Sequence, residues 1–160
     1  MSETTDTTRP VSPGPSGQVD IRGPRFAAWI TTAALVLVLI AATFSTALAA
    51  VLLALQALAF ALGALTGPRR SPYGRLYGTL VAPRLSPPSE LEPVAPLRFA
   101  QLVGLIFAVG GLMGFLAGSA PIGSVFTGFA LFAAFLNAAF GICLGCELYP
   151  LIQRLTPKTA

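Results

Sequence analysis

Two long stretches of this chain contain no charged residue, Phe26 to Leu65 and Phe99 to Cys146. One bilayer crossing takes about 20 apolar helical residues, so each stretch is long enough for two. The first is interrupted by the polar run Thr43-Phe44-Ser45-Thr46, the second by Gly118-Ser119-Ala120-Pro121. Pro121 cannot continue a helix without losing a backbone hydrogen bond. The pattern predicts an all-α polytopic membrane protein, with four transmembrane helices in two hairpins spanning about 26–44, 46–65, 99–117 and 122–146. With 54% apolar and only 10% charged residues, the composition excludes an ordinary soluble domain, which carries about a quarter charged residues.

The flanking segments set the expected organisation: a four-helix domain over 25–154, a loop at 66–98 and a short tail at 155–160. Residues 1–24 are rich in Ser, Thr, Pro and Gly, too polar to offset the entropy of ordering, and are expected to be a disordered tail. Arg22 and Arg25 precede the first span. Arg69, Arg70, Arg75, Arg84 and Arg98 lie in the loop or at its end, and Arg154 and Lys158 follow the last span. The two opposite turns carry no charge. Short basic loops stay in the cytoplasm, so the expectation is a multi-pass plasma-membrane protein with both termini cytoplasmic. Ala47-Leu48-Ala49 looks like a signal-peptide cleavage site, but the apolar sequence continues through Val51-Leu52-Leu53, which argues against cleavage. The basic residues are not interleaved with aromatics, so no nucleic acid is expected as a partner.

Within the loop, Ser71-Pro72 is a helix-start signal. Tyr73, Leu76, Tyr77, Leu80 and Val81 then recur at helical spacing, which predicts a short interfacial helix with its tyrosines at headgroup level. Arg25-Phe26-Ala27 opens the first hairpin and Arg98-Phe99-Ala100 the second. Each hairpin's second helix also carries one amide, Gln56 or Asn137, followed within four residues by a Phe. An internal duplication explains this, and so does chance similarity between apolar segments.

The residues that could carry chemistry are few. Cys143 and Cys146 form a C-x-x-C pair, whose i, i+3 spacing on a helix is close enough for a disulfide. The expected continuous last span puts the pair near a helix C-terminus, where the dipole disfavours a thiolate and Glu147 raises the thiol pKa further. Arg69 and Arg70 are the expected compensating cations. Two buried small apolar residues packing a helix end are the alternative reading. One pair supplies only two metal ligands, and no metal or cofactor is expected. No ionisable residue lies inside a span, which argues against a proton pump or ion-coupled carrier. Gln56 and Asn137 are the intramembrane polar groups, and an interhelical hydrogen bond is their commoner use. Gly110, Gly114 and Gly118 recur at four-residue spacing, suited to close helix packing within the bundle or in a homodimer.

Taken together, Arg22-Gly23-Pro24-Arg25-Phe26, Gly67-Pro68-Arg69-Arg70-Ser71-Pro72-Tyr73-Gly74, Arg98-Phe99-Ala100-Gln101 and Leu136-Asn137-Ala138-Ala139-Phe140-Gly141 resemble an uncharacterised family of bacterial membrane proteins common in actinobacteria. The likeness extends through Cys143, Cys146, Glu147 and Tyr149 and covers Asp20 to Arg154. The family is a domain of unknown function, so the resemblance implies paired cysteines at the end of the last helix but no activity. That ending also resembles small membrane domains attached to rhodanese-type sulfurtransferases. The leading expectation is a membrane thiol-redox or sulfur-handling protein in which Cys143 and Cys146 react, Arg69 and Arg70 stabilise the thiolate, and Glu147 and Tyr149 shape the site. Its partner is expected to be a thioredoxin-like protein or a sulfurtransferase. A non-enzymatic scaffold or accessory subunit is the alternative, followed by a small-molecule channel around Gln56 and Asn137.

Overall fold

In the bilayer core a backbone polar group has no water to bond, so helices that satisfy themselves are the stable spanning elements. The computed structural model describes residues 17–156 and contains four such helices: α1 (Arg22–Ala42), α2 (Thr46–Thr66), α4 (Val94–Leu116) and α5 (Ala120–Phe140). At about 1.5 Å per residue, their 21 to 23 residues span roughly 31–35 Å, the thickness of the hydrocarbon layer. Ser45 starts α2 by accepting the Leu48 N–H at 3.2 Å, and Ser119 starts α5 by accepting that of Ile122 at 3.4 Å. These two serines sit at the uncharged turns where the sequence breaks.

The helices run up-down-up-down, with α2 against α4 and α1 against α5 closing the ring. Leu35 and Val38, Leu53 and Phe60, Ala108 and Phe115, and Ala130 form the shared core. Outward positions such as Leu37, Leu55, Ile106 and Met113 are apolar and exposed, as a lipid-facing surface requires. Lipid tails are as apolar as leucine, so close packing has to hold the bundle. Gly114 meets the backbone of Gly123, where an added Cβ would stand 2.6 Å from the Gly123 nitrogen. Gly110 lies under the Phe126 ring, while Gly118 has φ +77° and makes the turn instead of a helix contact.

The loop is more structured than its composition suggests. Its short helix α3 (Pro72–Leu76) is capped by Ser71 and continues as a π turn over 77–81 and a 3-10 turn over 82–84. The tyrosines are turned into the protein. Tyr73 donates its hydroxyl to Gln56 Oε1 at 2.6 Å, and Gln56 lies ten positions before the end of α2. Tyr77 is buried against Phe26 and Gly23 and donates to Asp20 Oδ2 at 3.0 Å.

Residues 1–16 of the expected disordered tail, and 157–160 of the other, lie outside the described residues. The remainder of the first tail is ordered: β1 (Gln18–Asp20) pairs antiparallel with β2 (Leu91–Pro93), which leads directly into α4. Asp20 also bonds the Arg22 backbone N–H at 3.0 Å and its guanidinium at 3.1 Å.

The two halves repeat their solutions at nearly constant spacing along the chain. Gly67 (φ +87°) ends α2 and Gly141 (φ +72°) ends α5. Arg98 donates to the Ala64 and Leu65 carbonyls at the end of α2, while the Arg25 guanidinium lies against Gly141 at the end of α5. The Phe26–Tyr77 ring pair, 5.7 Å between centroids, has its counterpart in Phe99–Tyr149 at 5.9 Å. These matched contacts are specific in a way that chance similarity of apolar sequence is not. The two amides, however, are not equivalent: Gln56 lies ten positions from its helix end and Asn137 only three.

Burial pushes the Asp20 carboxyl up, but the Arg22 backbone N–H, its guanidinium and the Tyr77 hydroxyl outweigh this and hold the pKa below the ordinary value. Burial first, and then the Asp20 carboxylate, pushes the Tyr77 phenol up. The Asp20 contribution is therefore complete above the unfolded carboxyl pKa of about 3.9 and lost as pH falls through the lower folded value. The Tyr77 contribution is complete below about pH 10 and lost as pH rises through the higher folded value. Tyr77→Phe should cost about 1 kcal/mol at neutral pH. It should also flatten the acid limb of thermal stability in detergent; an acid limb as steep as wild type would contradict the contact.

Candidate functional site

The last membrane helix does not run to the cysteines. α5 stops at Phe140, because Gly141 turns left-handed and its N–H closes back on Asn137, with Ile142 bonding Leu136 at 3.3 Å. Cys143 then adopts an extended conformation and becomes the N-cap of a separate helix, α6 (Leu144–Leu155). Its Sγ accepts the Cys146 N–H at 3.3 Å, and its carbonyl accepts the Glu147 N–H at 3.0 Å. The pair therefore sits at the positive end of a helix dipole, the reverse of the expectation from a continuous span. Glu147 falls in the first turn of α6, where a carboxylate favours the helix.

The equivalent position in the first half is Ser71, whose Oγ accepts the Gly74 N–H at 3.1 Å to open α3. Cys143 does with sulfur what Ser71 does with oxygen. Cys143 and Cys146 are joined in a disulfide, their Cα atoms 5.1 Å apart, inside the range a disulfide accepts.

Helix α6 is amphipathic. Leu144, Leu148, Leu151 and Leu155 form one exposed apolar face, and Glu147, Gln153 and Arg154 are exposed polar residues. It lies against the start of α4 through Tyr149, which packs on Phe99, and through Gly145, which touches the Ala100 backbone. Such a helix suits the membrane interface. Pro150 lies inside it and has no N–H to give the Cys146 carbonyl.

A partly open cavity of about 410 Å³ adjoins the pair. Phe107, Phe129 and Phe132 contribute much of its wall, and Thr31, Gln101 and Asn137 are polar groups within it. Cys143 lines it, and Cys146 does not. Neither the Gln101 nor the Asn137 amide has a hydrogen-bond partner among the described residues. Both amides lie within two turns of the bundle end that carries the disulfide.

The other sequence candidates fall elsewhere. Arg69 donates to the Gln18 carbonyl at 2.9 Å and so holds β1, and Arg70 is exposed. Neither lines the cavity, and the cation against this turn is Arg25. Gln56 is 2% exposed and holds Tyr73, with its Nε2 lacking a partner among the described residues. It is part of how α3 is held and not of the cavity that meets Cys143.

With this geometry in view, a family model described as a domain of unknown function (DUF4395) matches residues 19–154. The chain belongs to the DUF4395 family. No curated protein and no solved structure matches it. The DUF4395 match covers every element from the second residue of β1 to the last turn of α6, so the helix carrying the cysteine pair belongs to the family's domain.

A Cβ on Gly145 would stand 2.5 Å from the Ala100 Cα, a backbone atom that cannot swing aside. Gly145→Val should cost about 1–3 kcal/mol. It should also release α6, read as faster proteolysis after Gly141 with the 67–93 loop cut no faster. Equal protection of both segments would show that this contact does not hold the helix.

Proposed function

We propose that this chain is a membrane-embedded thiol–disulfide protein that exchanges electrons with a thioredoxin-like dithiol at the basic end of the bundle. The observation that carries the reading is the disulfide at the start of α6, with Cys143 Sγ as its cap. A thiolate at a helix N-terminus is stabilised by the dipole and by backbone N–H groups, which lowers its pKa and makes it a better leaving group. Arg25, whose guanidinium lies against Gly141, supplies the cation. Glu147 and Tyr149 hold α6 in place, the first at the dipole and the second against Phe99.

In the proposed exchange, a partner thiolate attacks Cys146 Sγ, the S–S bond breaks, and Cys143 leaves as the stabilised thiolate. The partner's second thiolate then attacks the mixed disulfide and releases Cys146. The partner ends as a disulfide, having given two electrons, and the pair ends as a dithiol. The arginines of the loop and of the helix starts gather at this end of the bundle, and by their charge it is the cytoplasmic one. The site would therefore face the compartment where dithiol reductants are kept.

The reading is tested by the alkylation rate of each reduced thiol against pH, using Cys146→Ser to isolate Cys143 and Cys143→Ser to isolate Cys146. The Cys143 midpoint should fall below the ordinary thiol value of about 8.5, and Arg25→Met should raise it. Cys146 should titrate higher than Cys143. Matching, unshifted profiles for the two sulfurs would leave only a packing role for the pair.

A further inference from the structure

We propose that the cavity beside Cys143 seats a membrane-soluble quinone that takes two electrons from the reduced cysteine pair. This deepens the thiol–disulfide reading and rests on it, because a dithiol that receives electrons from a soluble partner needs an acceptor to return to the disulfide.

The shape and chemistry of the cavity select that acceptor. Its lining runs along α4 from Leu97 to Phe107 and along α5 from Phe129 to Asn137, about 12–15 Å of helix rise. It therefore extends from the cysteine-bearing end towards the middle of the bilayer. About 410 Å³ lies within the usual range of small-molecule sites. Walls of Phe107, Phe129 and Phe132 do not suit a water-soluble oxidant such as glutathione disulfide. A plain acyl chain suits those walls but offers nothing to the half-buried Gln101 and Asn137 amides. An aromatic ring bearing carbonyl oxygens meets both demands: the rings pack on it, the amide N–H groups donate to its carbonyls, and an apolar tail follows the cavity inward.

The placement of the two sulfurs fits the step. Both cysteines are half-buried, but Cys143 lines the cavity and Cys146 does not, so the two stand differently to a molecule seated there. In the step, Cys143 gives up its proton and its thiolate adds reversibly to the quinone ring, forming an S–C bond. Cys146, losing its own proton, attacks Cys143 Sγ; the S–S bond forms, the S–C bond breaks, and its electron pair passes into the ring. The two protons given up by the thiols go to the two quinone oxygens, and the quinone, having gained two electrons, leaves as the hydroquinone. The observed disulfide is the product state of this transfer.

The experiment uses the full chain in lipid nanodiscs, reduced with dithiothreitol, desalted and kept anaerobic. The probe is a benzoquinone with a decyl tail and no unsubstituted ring position, so that thiols cannot simply alkylate it. Both thiols of the chain should be lost, with one hydroquinone formed per disulfide, and Cys146→Ser should form none. Ala133→Phe, which fills the cavity from α5, should lower the quinone rate about tenfold relative to the rate with glutathione disulfide in the same variant. Asn137→Leu should lower the same ratio without adding bulk, and thermal melting checks that each variant is folded. Oxidation by glutathione disulfide but not by the quinone, or a ratio unchanged in both variants, overturns the quinone site and leaves the thiol–disulfide reading standing. If neither the quinone nor glutathione disulfide forms the disulfide, both readings are overturned.

Discussion

Satisfying backbone groups where water is absent is the constraint on which this molecule depends. Within a helix the ladder takes care of itself, and the difficulty concentrates at the ends, where orphan N–H and C=O groups need partners. At the uncharged end of the bundle, serine side chains cap α2 and α5. At the basic end the last carbonyls of α2 meet the Arg98 guanidinium, and α5 closes on itself through Gly141 with Arg25 alongside. An arginine at a helix C-terminus satisfies carbonyls and opposes the dipole together. The basic residues at this end of the bundle therefore also finish its helices.

Because the two hairpins solve the problem alike, the small departures between them are informative. After each hairpin a glycine with positive φ is followed by an N-capped helix, and a tyrosine in or just after that helix packs on the phenylalanine that follows the opening arginine. In the first half the cap is Ser71, and the helix is a short support for the loop. In the second half it is Cys143, three residues before another cysteine, and the helix runs for twelve residues. Replacing a capping oxygen by sulfur keeps the architecture and adds a group that can pair with Cys146.

Most of the membrane architecture was legible in the sequence, because charge-free length and breaks at Ser45 and Ser119 leave few alternatives. Ser71-Pro72 correctly announced α3, since a capping hydroxyl and a proline in the first turn act locally. The end of α5 was not legible from hydropathy. Gly141-Ile142-Cys143-Leu144-Gly145-Cys146 is as apolar as the span before it, so nothing in its polarity marks the break. The signals that were present are Gly141 before the cysteines and the Leu144, Leu148, Leu151, Leu155 spacing after them. Reading those would have reversed the dipole argument against a Cys143 thiolate. Tertiary choices were harder still. Arg25 rather than Arg69 stands by the cysteine turn, and Tyr73 turns inward to Gln56, because each depends on which helices are neighbours and not on local pattern.

The most direct measurement is the thiol state of the pair in native membranes. Cells are quenched in acid and alkylated with a mass-tagged maleimide, before and after reduction, with Cys143→Ser and Cys146→Ser in parallel. The account predicts that wild type gains two tags only after reduction, returns to none on mild oxidation, and is labelled from the cytoplasmic face once reduced. Thiols that are free in the quenched cells and stay free through mild oxidation would contradict it, and the pair would then be packing alone.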